Sequence, residues 1–169
     1  MIRLEVCLTG QCKRFQKTKM PSMIHIIYAS VETESFAPAQ LAKLLQQARA
    51  ENERQELTGM LLYSDGNFFQ VLEGEPEVVD ALYAKLHHDK RHAQLTMIVR
   101  EPIARRYFGD WSMGFTSVSS KELRGVEGLN DFFQDGSCFV GLDAGRGKKL
   151  LGAFADGRWR AKLTGAEPR

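Results

Sequence analysis

The chain has 169 residues, is 43% hydrophobic and carries a formal net charge of +2, enough for one domain with a buried core plus appendages. That charge disfavours nucleic acid as a partner, and no apolar run reaches membrane-spanning length, so a soluble, cytoplasmic chain with no membrane partner is expected. Three scattered cysteines, Cys7, Cys12 and Cys138, fit reduced thiols better than a zinc site or a disulfide framework.

Residues 1–22 set Arg3, Lys13, Arg14, Lys17 and Lys19 against Glu5 alone, with further methionines at Met20 and Met23. They read as an N-terminal extension, expected to be mobile. From Met23 the pattern becomes regular. Ile24, Ile26 and Ile27 lead to Tyr28 as a first strand. Pro38 suits a first helical turn, and Leu41, Leu44, Leu45 and Ala48 recur at helical spacing in a helix that ends near Asn52. Leu57–Tyr63 predicts a strand, Ser64-Asp65-Gly66-Asn67 a hairpin turn, and Phe68–Glu73 its partner. Pro76 opens a second helix with one stripe of Val78, Val79, Leu82, Tyr83 and Leu86, which runs out in His87–His92. Leu95–Arg100 and Trp111–Val118 predict a fourth and a fifth strand.

This order is an α+β, ferredoxin-like βαββαβ plan with an added fifth strand. The strands at 57–63, 68–72 and 95–99 are apolar on both faces, so the sheet must be covered twice. The two helices cover one face. The other falls to the region after Ser120, whose clusters at Phe132-Phe133, Phe139-Val140 and Leu150-Leu151 lie among many glycines and predict short helices and turns. The expected division is 1–22, an extension; 23–118, the domain; and 119–169, a C-terminal cover.

Chemistry concentrates on Gln70, an amide in the middle of an apolar strand. Leaving such a group without partners costs about 1–3 kcal/mol, so something polar must meet it inside the fold. The plan itself does not fix function. Phosphate chemistry of the acylphosphatase kind needs a basic cradle after the first strand, but residues 29–36 hold Glu32 and Glu34 and no Lys or Arg. An RNA-reading sheet would need exposed aromatics in a basic surface. His87, His88 and His92 follow a helix C-terminus, where they complement its dipole without a metal.

Five segments complete the picture: Ile27-Tyr28-Ala29-Ser30; Asn52 followed by Leu57-Thr58-Gly59; Phe68-Phe69-Gln70-Val71-Leu72-Glu73-Gly74; Asp89-Lys90-Arg91-His92; and Trp111-Ser112-Met113. In this order and spacing, residues 24–118 resemble a BLUF domain, a flavin-binding blue-light receptor. The resemblance implies an oxidised flavin between the two helices, FAD ahead of FMN or riboflavin. Tyr28 would give an electron and a proton to the excited flavin, and Gln70 would rearrange between the Tyr28 hydroxyl and the ring. Asn52, otherwise a helix cap, would pair with the ring edge. Arg91 and His92 would contact its other carbonyl and face, oriented by Asp89. Phe68, Leu72 and Ile26 would wall the pocket. Trp111 and Met113, two apart on a strand, would share the Gln70 face and relay its state. The same resemblance implies a stand-alone sensor and not an enzyme, with no room for an output domain after residue 118. Its signal would pass to a downstream protein in trans through the sheet and C-terminal region, the chain itself forming a homo-oligomer. The rival reading is a ferredoxin-like flavin oxidoreductase. Against it stand the missing nicotinamide-type glycine fingerprint and the missing redox cysteine pair.

Overall fold

Every residue from Ile24 to Ser30 is buried, which places β1 (Met23–Glu32) at the heart of a sheet covered on both faces. The computed structural model describes residues 23–133 and 138–159; the N-terminal extension expected at 1–22 lies outside the described residues. After β1 come α1 (Pro38–Arg54), β2 (Thr58–Ser64), β3 (Asn67–Gly74), α2 (Pro76–Leu86), β4 (His92–Ile103), β5 (Gly114–Ser117), α3 (Ser120–Arg124), a 3-10 turn at Phe139–Gly141 and α4 (Ala144–Ala155). The strand order is β4-β1-β3-β2-β5. The first four strands pair antiparallel, and β5 joins β2 in parallel. This is the ferredoxin-like plan with its fifth strand added at the β2 edge.

Local chemistry explains the framework. Pro38 and Pro76 each occupy the first turn of a helix, where a missing N–H costs nothing. Asp65 and Gly66 both take positive φ, 45° and 80°, which lets a two-residue turn follow the right-handed twist of β2 and β3. At Gly59 a Cβ would stand 2.1 Å from the Val71 carbonyl oxygen, so these two strands approach as only glycine allows. Ser119 caps α3 in a reciprocal box with Glu122.

The sheet divides two apolar layers. On one side Ile24, Ile26, Tyr28, Leu61, Phe68 and Leu72 meet Leu45 of α1 and Val79 and Tyr83 of α2. On the other, Ile27, Met60, Leu62, Phe69 and Val71 meet Leu123, Phe133, Phe139, Leu150, Phe154 and Trp159. The apolar clusters after Ser120 therefore cover the second face.

Several boundaries differ from the sequence expectation. α1 continues to Arg54, so Asn52 lies within the helix and not at its cap. β4 begins at His92, which takes that histidine out of the helix end. β4 is an edge strand in which Val99 alone is buried, and Met97 is 41% exposed. Its apolar content therefore does not mean cover on both faces. β5 is confined to Gly114–Ser117, and Trp111 to Met113 precede it outside the strand, with a bend at Ser112 and Met113. No helix among the described residues is long and apolar enough to cross a membrane.

Candidate functional site

Strand pairing builds the centre of the site. Tyr28 of β1 and Gln70 of β3 are direct cross-strand partners, on the face that α1 and α2 cover. The Tyr28 hydroxyl donates to Gln70 Oε1. The other end of the same amide, Nε2, points to the Met113 sulfur at 3.4 Å. Gln70 is thus held between a phenol and a soft, weak acceptor. Burial pushes the Tyr28 phenol well above its ordinary range, with smaller contributions from Tyr83 and Asp89. Tyr83 packs edge-on against the Tyr28 ring, with centroids 5.5 Å apart.

Beside this pair opens a pocket of about 260 Å³. Its floor is Tyr28, Leu61, Phe68, Gln70 and Met113 of the sheet side; Leu44, Leu45, Ala48 and Asn52 of α1 and Leu82 and Leu86 of α2 form its sides. Asp89, Arg91 and His92 close one end. The Arg91 guanidinium donates to Asp89 at 2.8 Å and holds that carboxyl down to about 2. His92 meets Ser30 Oγ at 2.9 Å through Nδ1 and stands edge-on to Phe68; burial lowers its pKa. Asn52, only 2% exposed, donates from Nδ2 to the Ser112 carbonyl at 2.7 Å. Arg49, one turn earlier, donates to the Met113 carbonyl at 2.9 Å. Two α1 side chains thereby fasten the main chain that enters β5.

Of the residues expected from the sequence, Tyr28, Asn52, Phe68, Gln70, Asp89, Arg91, His92 and Met113 all line this pocket. Ile26 and Leu72 do not. They lie paired in the same apolar layer, behind the wall. Trp111 is also elsewhere. It packs against the opposite layer, its ring stacked on Phe108 at 6.1 Å, while Met113 is 2% exposed in the pocket-side layer. The expectation that Trp111 and Met113 share a face is corrected here: residues 111–113 lie outside any strand, with a bend at Ser112 and Met113, and the alternation of a strand does not apply to them. Arg49, Gln47 and Lys85 went unnoticed in the sequence. Arg49 precedes Asn52 by three residues, and that helical spacing was the available clue.

A flat ring with hydrogen-bonding edges suits these walls: aliphatic side chains on both helices, a two-way amide on the floor, and an amide, an arginine and an imidazole at the margins. The volume falls slightly below the usual range for small-molecule sites, roughly 300–1,000 Å³.

Comparison with known proteins agrees. Residues 23–114 match the family model described as BLUF, sensors of blue-light using FAD. Photoactivated adenylate cyclase subunit alpha of Euglena gracilis is 33% identical over 122 residues, covering 72% of this chain and 12% of that protein. The chain thus spans a small part of the length of the curated relatives it matches. Among solved structures, the BLUF protein BlrB in its dark state superposes with a TM-score of 0.65 at 29% identity, over 81% of this chain and 98% of that one. BlsA in its ground state gives 0.66 at 27% identity, over 79% and 87%.

Proposed function

The chain belongs to the BLUF family of blue-light sensors, and from that premise we propose that Tyr28 and Gln70 form its light-operated switch. FAD is the cofactor of the family. When bound, it supplies blue absorption and an excited state that accepts an electron. In this chain the Asn52 amide would hold the edge of the ring, Arg91 and His92 its far end, and Phe68 a wall; Asp89 fixes Arg91 by their ion pair.

The observation that carries the reading is the Tyr28–Gln70–Met113 chain of contacts, its two ends buried and its amide facing the pocket. The high pKa of Tyr28 keeps its phenol protonated in the resting protein. A phenol that gives up an electron becomes a strong acid, and Gln70 Oε1 is the acceptor already in contact. With the proton moving, the Gln70 head has cause to turn over or tautomerise, exchanging donor for acceptor at each end. Return of the electron and proton to Tyr28 restores its chemistry, while the rearranged amide persists as the signal. Met113 meets that amide directly. Trp111, across the same bend, faces the C-terminal layer and offers a route outward.

The role is sensing and not turnover, with output to a downstream signalling protein in trans. The cyclase relatives support a signalling context. Colour and light response test the reading. Purified protein is expected to be yellow and to shift its absorption to the red under blue light, reversibly in darkness and without reductant. A flavin that changed only on addition of a reductant would favour the oxidoreductase instead.

A further inference from the structure

Three residues beyond Gln70, on the opposite face of β3, Glu73 is buried with 0% exposure. Its carboxylate accepts from the Tyr107 N–H at 2.8 Å, the Phe108 N–H at 3.0 Å and the Thr58 hydroxyl at 3.0 Å. Arg106 completes the cluster: it donates to Thr58 Oγ1 at 2.8 Å, to the Glu73 carbonyl at 2.9 Å and to the Glu56 carbonyl at 2.7 Å. A buried carboxylate is costly unless its oxygens are met by donors, and here three donors converge. All of this chemistry is spent on one segment, the connector between β4 and β5.

That connector carries Trp111 and Met113. Phe108, held by Glu73, stacks on Trp111 and accepts its N–H at 3.0 Å. The Trp111 carbonyl in turn accepts from Gly59 of β2 at 3.2 Å. One end of the segment is therefore pinned through Glu73, and the other through Arg49 and Asn52. β3 touches both ends of this path: Gln70 meets Met113 on the pocket face, and Glu73 holds the connector from behind.

Resting on the Tyr28–Gln70 reading above, we propose that Glu73 is a positioning residue whose latch on the connector, shared with Thr58 and Arg106, sets how firmly Met113 returns to Gln70. The latch favours the arrangement seen here, with the Met113 sulfur at the Gln70 amide. Weakening it removes the restoring bias while leaving Tyr28, Gln70 and the pocket in place. Light should then still form the red-shifted state, but return in darkness should slow.

The test uses the full chain with its flavin. Glu73→Gln keeps size and one acceptor oxygen and turns an amino group toward donors. It is expected to keep flavin and red shift, slow dark recovery about tenfold, and speed hydrogen exchange of the 104–113 segment in darkness by a similar factor. Thr58→Val, which removes only the shared hydroxyl, should move both quantities the same way by less, and Thr58→Ser should restore them. The exchange measurement is repeated on flavin-free protein, where it reports the latch without any photochemistry. Unchanged recovery and exchange in Glu73→Gln and Thr58→Val, beside a normal red shift, overturn the latch. So does failure of both variants to fold, which would make the cluster a matter of stability alone. A wild-type protein that shows no light-induced shift fails the Tyr28–Gln70 reading instead, and the flavin-free exchange data still judge whether Glu73 holds the connector.

Discussion

Tyr28 and Gln70 meet because their strands pair in register, so a side-chain change at either one leaves the other in place. Tyr28→Phe deletes the hydroxyl and keeps the ring; Gln70→Leu keeps the volume and deletes donor and acceptor together. Both variants are expected to fold, bind flavin and lack the native reversible red shift in light-minus-dark absorption spectra. A full red shift in Gln70→Leu would refute the switch even if flavin binding held. His92 leads to a second prediction, about pH. Burial favours its neutral form in the folded chain, so the unfolded chain takes up a proton first as pH falls. Its stabilising share is present above about pH 6.5 and is lost below it. Asp89 stays ionised through that range, since Arg91 holds it down to about 2. The thermal midpoint of the flavin-free protein should fall between pH 7 and pH 5, and His92→Gln should flatten that fall.

Elements decide how these side chains are held. Asn52 sits in the body of α1 and holds the bend before β5, so Asn52→Ala should lose flavin more readily than Trp111→Phe, whose ring lies against the other layer. Flavin occupancy of the two purified proteins, measured by absorbance, checks this; equal occupancy counts against the assignment. Gly59→Ala is expected to destabilise by about 1–3 kcal/mol or more, since its new Cβ meets a backbone oxygen that cannot step aside; urea unfolding measures it. The helices were legible in the sequence because Pro38 and Pro76 mark their starts and apolar residues recur at helical spacing. The bend at 111–113 was not. Its residues have strand-like composition, and tertiary hydrogen bonds from Arg49, Asn52 and Gly59, with that of Trp111 to Phe108, fix its path. Trp111 was misplaced for that reason, while Met113, the nearer of the two to β5, was not.

Across the whole molecule, one sheet serves two apolar layers. The need for two covers was legible in the apolar strands around Gln70, and so was the order of the first seven elements. How residues 119–159 cover the second face was not, because their glycines mark turns without fixing angles. α4 is fastened there by polar contacts as well: Lys148 reaches Glu101 at 2.6 Å, and Glu101 also meets buried His25 at 3.1 Å. Ending the chain at Gly125 would strip Phe133, Phe139, Leu150 and Phe154 from Ile27, Phe69 and Val71. The shortened protein is expected to bind hydrophobic dye and self-associate, while the pocket on the other face still takes up flavin. Light scattering and dye fluorescence measure the first, absorbance the second. A monomeric, dye-negative truncation would show that the second layer is dispensable.

Arg49 and Asn52 grip carbonyl oxygens of Met113 and Ser112, not their side chains. A hold on the main chain is indifferent to which amino acid supplies the carbonyl. The clasp itself therefore makes no demand on the side chains at 112 and 113; what limits 113 is its burial and its contact with Gln70, which a thioether or an aliphatic of similar size can fill with the clasp intact. The return in darkness thus has two handles, the Glu73 latch behind the connector and the side chain at 113 that meets Gln70, and the second can change how long the memory of a flash lasts while the Arg49–Asn52 clasp stays as it is.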